Sequence, residues 1–293
     1  MSTSALMAIL LSAVCHASYN ALVKTSDHKV IFYWSIYASA TAYLLLTAPF
    51  LPLSSLLLPH SFVYFLAFLS ALFYTLYNLA TGRAYSSTGG DLSLSYPLST
   101  TSPLYLPILA YLLFGEVVSV MALVGIMVVF GGASLIQLRP GANRLFALRN
   151  ALSDPSVSYA LLAGFLYSFG AIVDKKGVGD SNFYTFTQWV IFLMFVLLSL
   201  AIAINREHRR NWFSAFRDAP ARVAAGGILL YSSFFLFRYG LATSSVAQAA
   251  SVRQASSLFA VLIGVRLLAE PYGRLRLAAT AIIVAGIILI KAG

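Results

Sequence analysis

The stretch Val246–Glu270, VAQAASVRQASSLFAVLIGVRLLAE, decides how the chain is read. It is long and apolar enough for a membrane-spanning helix, yet Arg253 stands seven residues inside its first end. A guanidinium at bilayer depth costs roughly 2.5 kcal/mol or more, so an intramembrane ionisable residue points to function. The stretch has a twin 154 residues upstream, Leu92–Glu116, LSLSYPLSTTSPLYLPILAYLLFGE, alike in length, polarity and ending. Ser99 falls opposite Arg253, Thr100 opposite Gln254 and Ser102 opposite Ser256.

Composition sets the solvent. Of 293 residues, 60% are hydrophobic and 10% charged, with a mean hydropathy of +0.84. An ordinary soluble domain carries about 25% charged residues, so the chain is read as an all-α integral membrane protein. Long alternating strands are absent, which disfavours an outer-membrane barrel. The net charge of +10 sits in short loops between apolar runs. That is the pattern of orientation signals and excludes nucleic acid as a partner. Cys15 stands alone, so no intramolecular disulfide forms. Residues 1–12 hold no Lys or Arg, so the first run reads as a retained helix and not a signal peptide.

Ten spans are predicted: Ser4–Val23, Val30–Phe50, Ser61–Thr81, Leu92–Phe114 and Val118–Leu138, then Val157–Val173, Asn182–Asn205, Ala221–Ala242, Val246–Leu268 and Leu275–Ile290. They divide into a first five-helix repeat (1–138), a linker rich in Arg, Pro and Gly (139–156) and a second five-helix repeat (157–293). Further pairs carry the repeat: Asn20–Lys24 with Ala171–Lys175, Tyr77 with Tyr231, and Gly132 with Gly286. Five is odd, so the second copy enters the membrane from the opposite side. That makes an inverted repeat around a central cavity, as in secondary transporters. Counting Lys and Arg assigns 14 to the odd-numbered connectors and four (Lys175, Lys176, Arg238, Lys291) to the other side. The positive-inside rule then places both termini outside a cytoplasmic membrane.

These features resemble the EamA-like branch of the drug/metabolite transporter superfamily. The resemblance rests on the two fivefold units, on Gly115-Glu116 and Ala269-Glu270 after the fourth and ninth spans, and on the glycines of the fifth and tenth. His16–Lys24, HASYNALVK, and Val252–Gly264, VRQASSLFAVLIG, fit one bacterial subgroup of it. The resemblance implies a ten-helix basket with a central cavity lined by the first four helices of each half. It also implies export or facilitated passage of small metabolites, amino acids being one frequent class. The small multidrug-resistance relatives exchange protons on a glutamate in the first helix; the first span here holds no acid.

Candidate substrate-binding residues follow from polarity inside the spans. Arg253, with Gln254 beside it, offers a planar fork suited to a carboxylate, phosphate or phosphonate. The competing reading is snorkelling, since seven residues place it at ~10 Å of depth. His16, Tyr19 and Asn20 share one helical face, and His16 is the one histidine well inside a span. Tyr74, Tyr77, Asn78, Tyr96, Tyr167 and Tyr231 suit a cavity that meets apolar substrate while keeping a hydroxyl available. Gln188 is expensive to leave unpaired, and Ser99 is the counterpart of Arg253. Pro97, Pro103 and Pro107 read as the gating bends of a cavity-lining helix, each freeing a carbonyl. Trp34 and Trp189 read as interfacial belt residues. Glu116 and Glu270 read as helix-end caps, Asp174-Lys175-Lys176 as an interfacial charge cluster, and Gly125, Gly131, Gly132 and Gly286 as close-packing positions.

The expected function is a secondary transporter or facilitator, an exporter working by alternating access around the mid-membrane cavity. Its partners are a small-molecule substrate and the lipid bilayer. One chain suffices, a dimer is compatible, and no cofactor or metal is called for. A membrane-embedded enzyme is the rival from another class, but there is no HExxH, facing aspartate pair or buried Ser–His–acid set. A receptor or scaffold leaves the inverted symmetry without a purpose.

Overall fold

The computed structural model describes residues 1–26, 28–86, 101–136, 155–259, 263 and 274–293, and every regular element among them is helical. The helices are α1 (Thr3–Lys24), α2 (Lys29–Thr47), α3 (Ser61–Ser86), α4 (Ser102–Phe114), α5 (Val120–Ile136), α6 (Pro155–Gly179), α7 (Phe183–Ile204), α8 (Pro220–Ala242), α9 (Val246–Arg253) and α10 (Arg274–Ala292). Single-turn helices Arg206–Arg210 and Ser214–Asp218 lie between α7 and α8 and are left unlabelled. Among the described residues, Thr3–Val23, Lys29–Phe50, Ser61–Thr81, Phe183–Ile204 and Pro220–Ala242 are long and apolar enough to cross a membrane.

Local chemistry sets the helix ends. Ser2, Asn182 and Ser245 accept hydrogen bonds from Ala5 N, Tyr184 N and Gln248 N and so cap α1, α7 and α9. Gly115, at φ +65°, ends α4 in the left-handed region. Gly115 N donates to Tyr111 O and Glu116 N to Ala110 O, so the chain turns back on the last helical carbonyls. That turn aims Glu116 at the start of α9.

Packing follows where backbones can approach. α1 lies on α8, α3 on α6, α2 on α7 and α8, α3 on α7, α4 on α6 and α9, α1 on α9, and α5 on α10. A Cβ at Gly125 would sit 2.7 Å from Gly286 O, and one at Gly286 would sit 2.8 Å from Gly125 O, so α5 and α10 touch backbone to backbone. Ser12 and Ser233 exchange hydroxyl-to-carbonyl bonds (2.7 and 3.2 Å) between α1 and α8, the small-polar packing usual between spans. Outward faces stay apolar, with Val120 79% and Leu112 69% exposed, which suits lipid and would be a liability in water. Lys291 Nζ donates to Met1 O at 2.8 Å, so the two termini meet at one end.

Several expectations shift. The sixth helix runs past the predicted Val173 to Gly179, so Asp174 is helical and fully buried, not interfacial. Arg238, counted with the outer loops, is 0% exposed within α8, which leaves three basic residues on that side. Pro103 lies in the first turn of α4, where no intrahelical N–H is needed, so it starts this helix and does not bend it. Pro107 is inside the helix, as expected. Gly131 faces open space and packs against nothing within 4 Å. Trp34 is 4% exposed and donates to Ser199 Oγ at 2.8 Å, a core position and not a belt. Tyr96, Pro97, Ser99, Glu270 and the linker up to Asp154 lie outside the described residues.

Candidate functional site

Arg253 is 6% exposed and stands in the last turn of α9. Beyond it the helix tightens: Gln254 N and Ala255 N donate to Ser251 O and Val252 O, three residues back, and regular helix resumes at Ser256. The cation therefore sits at a helix C-terminus, the negative end of the backbone dipole. Its Nη2 donates to Ser233 Oγ on α8 and to His16 Nδ1 on α1, both at 3.2 Å. The guanidinium lies 4.4 Å from the Phe237 ring centroid and 5.7 Å from that of Phe234. It is held by an inward pocket of α8 and α1 and does not snorkel.

A guanidinium only donates, so His16 Nδ1 is the acceptor and the ring proton is placed on Nε2. Tyr19 OH reaches the same Nδ1 at 2.8 Å. The face read at i, i+3 and i+4 is thus assembled, but its third member turns elsewhere. Asn20 donates to His16 O (2.8 Å) and accepts from Tyr33 OH (2.6 Å), pinning α1 to α2.

The tyrosines close the opposite wall. Tyr167 on α6 packs edge-on against Tyr74 and Tyr77 of α3, with centroids 5.7 and 5.5 Å apart, and stands close to Arg253. A Cβ at Gly170 would meet the Tyr74 ring at 3.1 Å, so glycine there gives that ring its place against α6. Asn78 lies beside Tyr37 of α2. Gln254 caps the end of α9 and is partly exposed.

Sequence reasoning missed the second half of this cluster. Asp174 Oδ1 accepts from Ser70 Oγ (2.6 Å) and Arg238 Nη2 (2.9 Å), and Oδ2 accepts from Tyr74 OH (3.0 Å). Both charged side chains are buried, at 1% and 0% exposure. Arg238 lies over Phe234 and Phe186, at 5.1 and 5.6 Å. Its Nε and Nη1 have no partner among the described residues. Phe234 is shared by both guanidiniums. The available signal was Tyr74, already singled out, one helix face away from an acid just beyond a predicted span end.

Two singled-out residues lie apart. Tyr231 stacks on Phe235 at 5.9 Å in an aromatic group with Phe183, Tyr184 and Tyr239. Gln188 is buried near the start of α7, beside Trp189, whose indole N–H donates to Leu56 O. Two hollows also lie elsewhere: one of ≈ 460 Å³ lined by Ser54, Ser55, Asp180 and Asn182, and an apolar one of ≈ 340 Å³ between Met7, Val14 and Phe259. The charged chemistry is at the Arg253 cluster, whose side chains close on one another in this conformation. Among the described residues, no group of three His, Cys, Asp or Glu side chains gathers to hold a metal.

Residues 155–292, which contribute Tyr167, Asp174, Ser233, Arg238 and Arg253, match the model of the EamA-like transporter family. That stretch of the chain is EamA-like. Together with the apolar helices, the match supports a multi-pass membrane protein, and the matched family, one of transporters, is consistent with the drug/metabolite transporter superfamily. A solved crystal structure, titled simply as that of a protein, superposes with a TM-score of 0.71 over 99% of this chain and 96% of its own, at 15% identity. That likeness is one of fold alone. No curated protein matches the chain.

Proposed function

We propose that the chain is a ten-span secondary transporter or facilitator that exports small metabolites bearing an anionic group across the cell membrane. The observation that carries the reading is Arg253, buried in the last turn of α9 with no carboxylate within ion-pair distance among the described residues. A cation kept there at cost, amid hydroxyls and rings from α1, α3, α6 and α8, is explained by a ligand that neutralises it. His16, Tyr19, Tyr74, Tyr77, Tyr167 and Arg253 bound that site. Tyr231, Gln188 and Asn78 serve the path to it, with Gln254 after α9 and, by sequence, Tyr96 and Ser99 in the predicted fourth span.

The division into residues 1–138 and 157–293, joined by a linker, is supported by the packing. Adding five to each helix label turns α1–α8 into α6–α3, α2–α8 into α7–α3, and α1–α9 into α6–α4. The pairs α2–α7, α4–α9 and α5–α10 map onto themselves. A pseudo-two-fold of this kind supports an inverted repeat in which one half rocks against the other, with both termini outside and Pro97 and Pro107 of the fourth span at the bend.

Reconstituted protein should exchange at least one member of a broad panel of amino acids and organic anions in counterflow. Arg253→Gln should abolish that exchange at unchanged protein abundance and melting temperature. A panel that yields no exchange, or an Arg253→Gln protein that transports normally, removes the reading.

A further inference from the structure

We infer that the substrate at Arg253 carries one net negative charge, so the site selects monoanions and refuses zwitterionic amino acids. This rests on the transport reading above and narrows it. Among the described residues the buried cluster holds two cations, Arg253 and Arg238, and one acid, Asp174, leaving one positive charge. The chain has nine acids. Glu116, Asp180 and Asp218 stand beside Lys175, Lys176 and Arg217. Asp27, Asp91, Asp154, Glu207 and Glu270 fall, by sequence, in connectors beyond the predicted span limits. The α9 C-terminus offers only a partial negative charge of roughly one half.

The second observation is the state of the acceptors. Asp174 already takes three donors, two on Oδ1 and one on Oδ2. His16 Nδ1 has one lone pair and faces both Arg253 and Tyr19. Arg238 meanwhile keeps Nε and Nη1 unpartnered. The centre is rich in donors, and its strongest acceptors are engaged. A bound monoanion brings the cluster to neutrality and supplies acceptor oxygens. A zwitterion leaves the cluster positive and adds an ammonium with no vacant carboxylate to receive it, the costly case of an unpaired buried charge. Rings of Tyr74, Tyr167, Phe234 and Phe237 offer the apolar part of the ligand its contact. Export then needs no coupling ion, because an inside-negative potential drives a monoanion out by about 50-fold per 100 mV.

Matched isosteres test the charge alone. Calorimetry on the full-length purified protein compares 3-phenyllactate, phenylalanine and phenylalaninamide, and likewise 2-hydroxyisocaproate, leucine and leucinamide, at a pH where each amine is protonated. In at least one series the hydroxy acid should bind about tenfold or more tighter than the amino acid, with the amide weakest. Arg253→Lys should keep that order, and Arg253→Gln should erase it. An amino acid that binds as tightly as its hydroxy acid overturns the inference, as does a preference that survives Arg253→Gln, or a lack of binding in both series. If Arg253→Gln fails to fold, the wild-type ratio and Arg253→Lys still decide. Counterflow of a zwitterion would sink the monoanion inference alone; no counterflow of any compound would sink the transport reading.

Discussion

Arg238 and Arg253 share one ring, Phe234, and differ in everything else around them. Arg238 has a carboxylate at 2.9 Å and no exposure, whereas Arg253 has a serine, a histidine and a tyrosine. Removing one partner of a buried pair costs about 3–5 kcal/mol, because the other charge is stranded, while replacing both is far milder. Asp174→Asn should therefore lower stability by that order, and adding Arg238→Met to it should recover a substantial part. Denaturant titration in mild detergent reads both; a double variant no more stable than Asp174→Asn would dissolve the argument. In sequence, Arg253 was legible because it interrupts an apolar run. Asp174 was not, because two lysines follow it and make it look like a helix end. The spacing of His16, Tyr19 and Asn20 gave their common face but not their partners, since Tyr33 reaches Asn20 from another helix.

At the level of helices, close approach decides stability. The α5–α10 contact leaves no room for a side chain at Gly286, whereas Gly131 on the same pair of helices faces open space. Gly286→Ala should cost about 1–3 kcal/mol by pushing two backbones apart. Gly131→Ala should be neutral or slightly stabilising, by up to ~1 kcal/mol of helix propensity. Melting curves of the two variants side by side check the contrast, and equal losses would contradict it. Sequence pattern marked both glycines alike, because a repeat cannot say which helix face meets a neighbour. The tightening after Arg253 was equally silent: Gln254, Ala255 and Ser256 include neither proline nor glycine. The Gly115-Glu116 pair read as a cap, and it is one. Glu116 Oε2 accepts from Val246 N at 3.1 Å, while Lys175 donates to Leu241 O and Ser244 O beside it.

Across the whole molecule, the 154-residue offset is what suggests two units in sequence, and the exchange of helix pairs supports that proposal. What the offset could not carry was the closed centre, which depends on side chains meeting from five helices. The contact between Lys291 and Met1 brings the termini together, as the proposed ten crossings would require. The basic connectors then set which side that is. A membrane-impermeant maleimide should label Ser4→Cys and Ala292→Cys on intact cells and spare Arg209→Cys until the cells are opened. Cys15 is buried and contributes little background. The reverse labelling would invert the topology.

Asp174, Arg238 and Arg253 all fall in the proposed second unit, and among the described residues the first lends the cluster only neutral groups. A duplicated scaffold must present the same outline twice, but nothing obliges it to present the same chemistry twice. One copy is then a chassis, free to be exchanged for its shape, and the other carries the choice of cargo. Grafting the second unit of a differently charged relative onto this first one would transplant that choice without redrawing the passage.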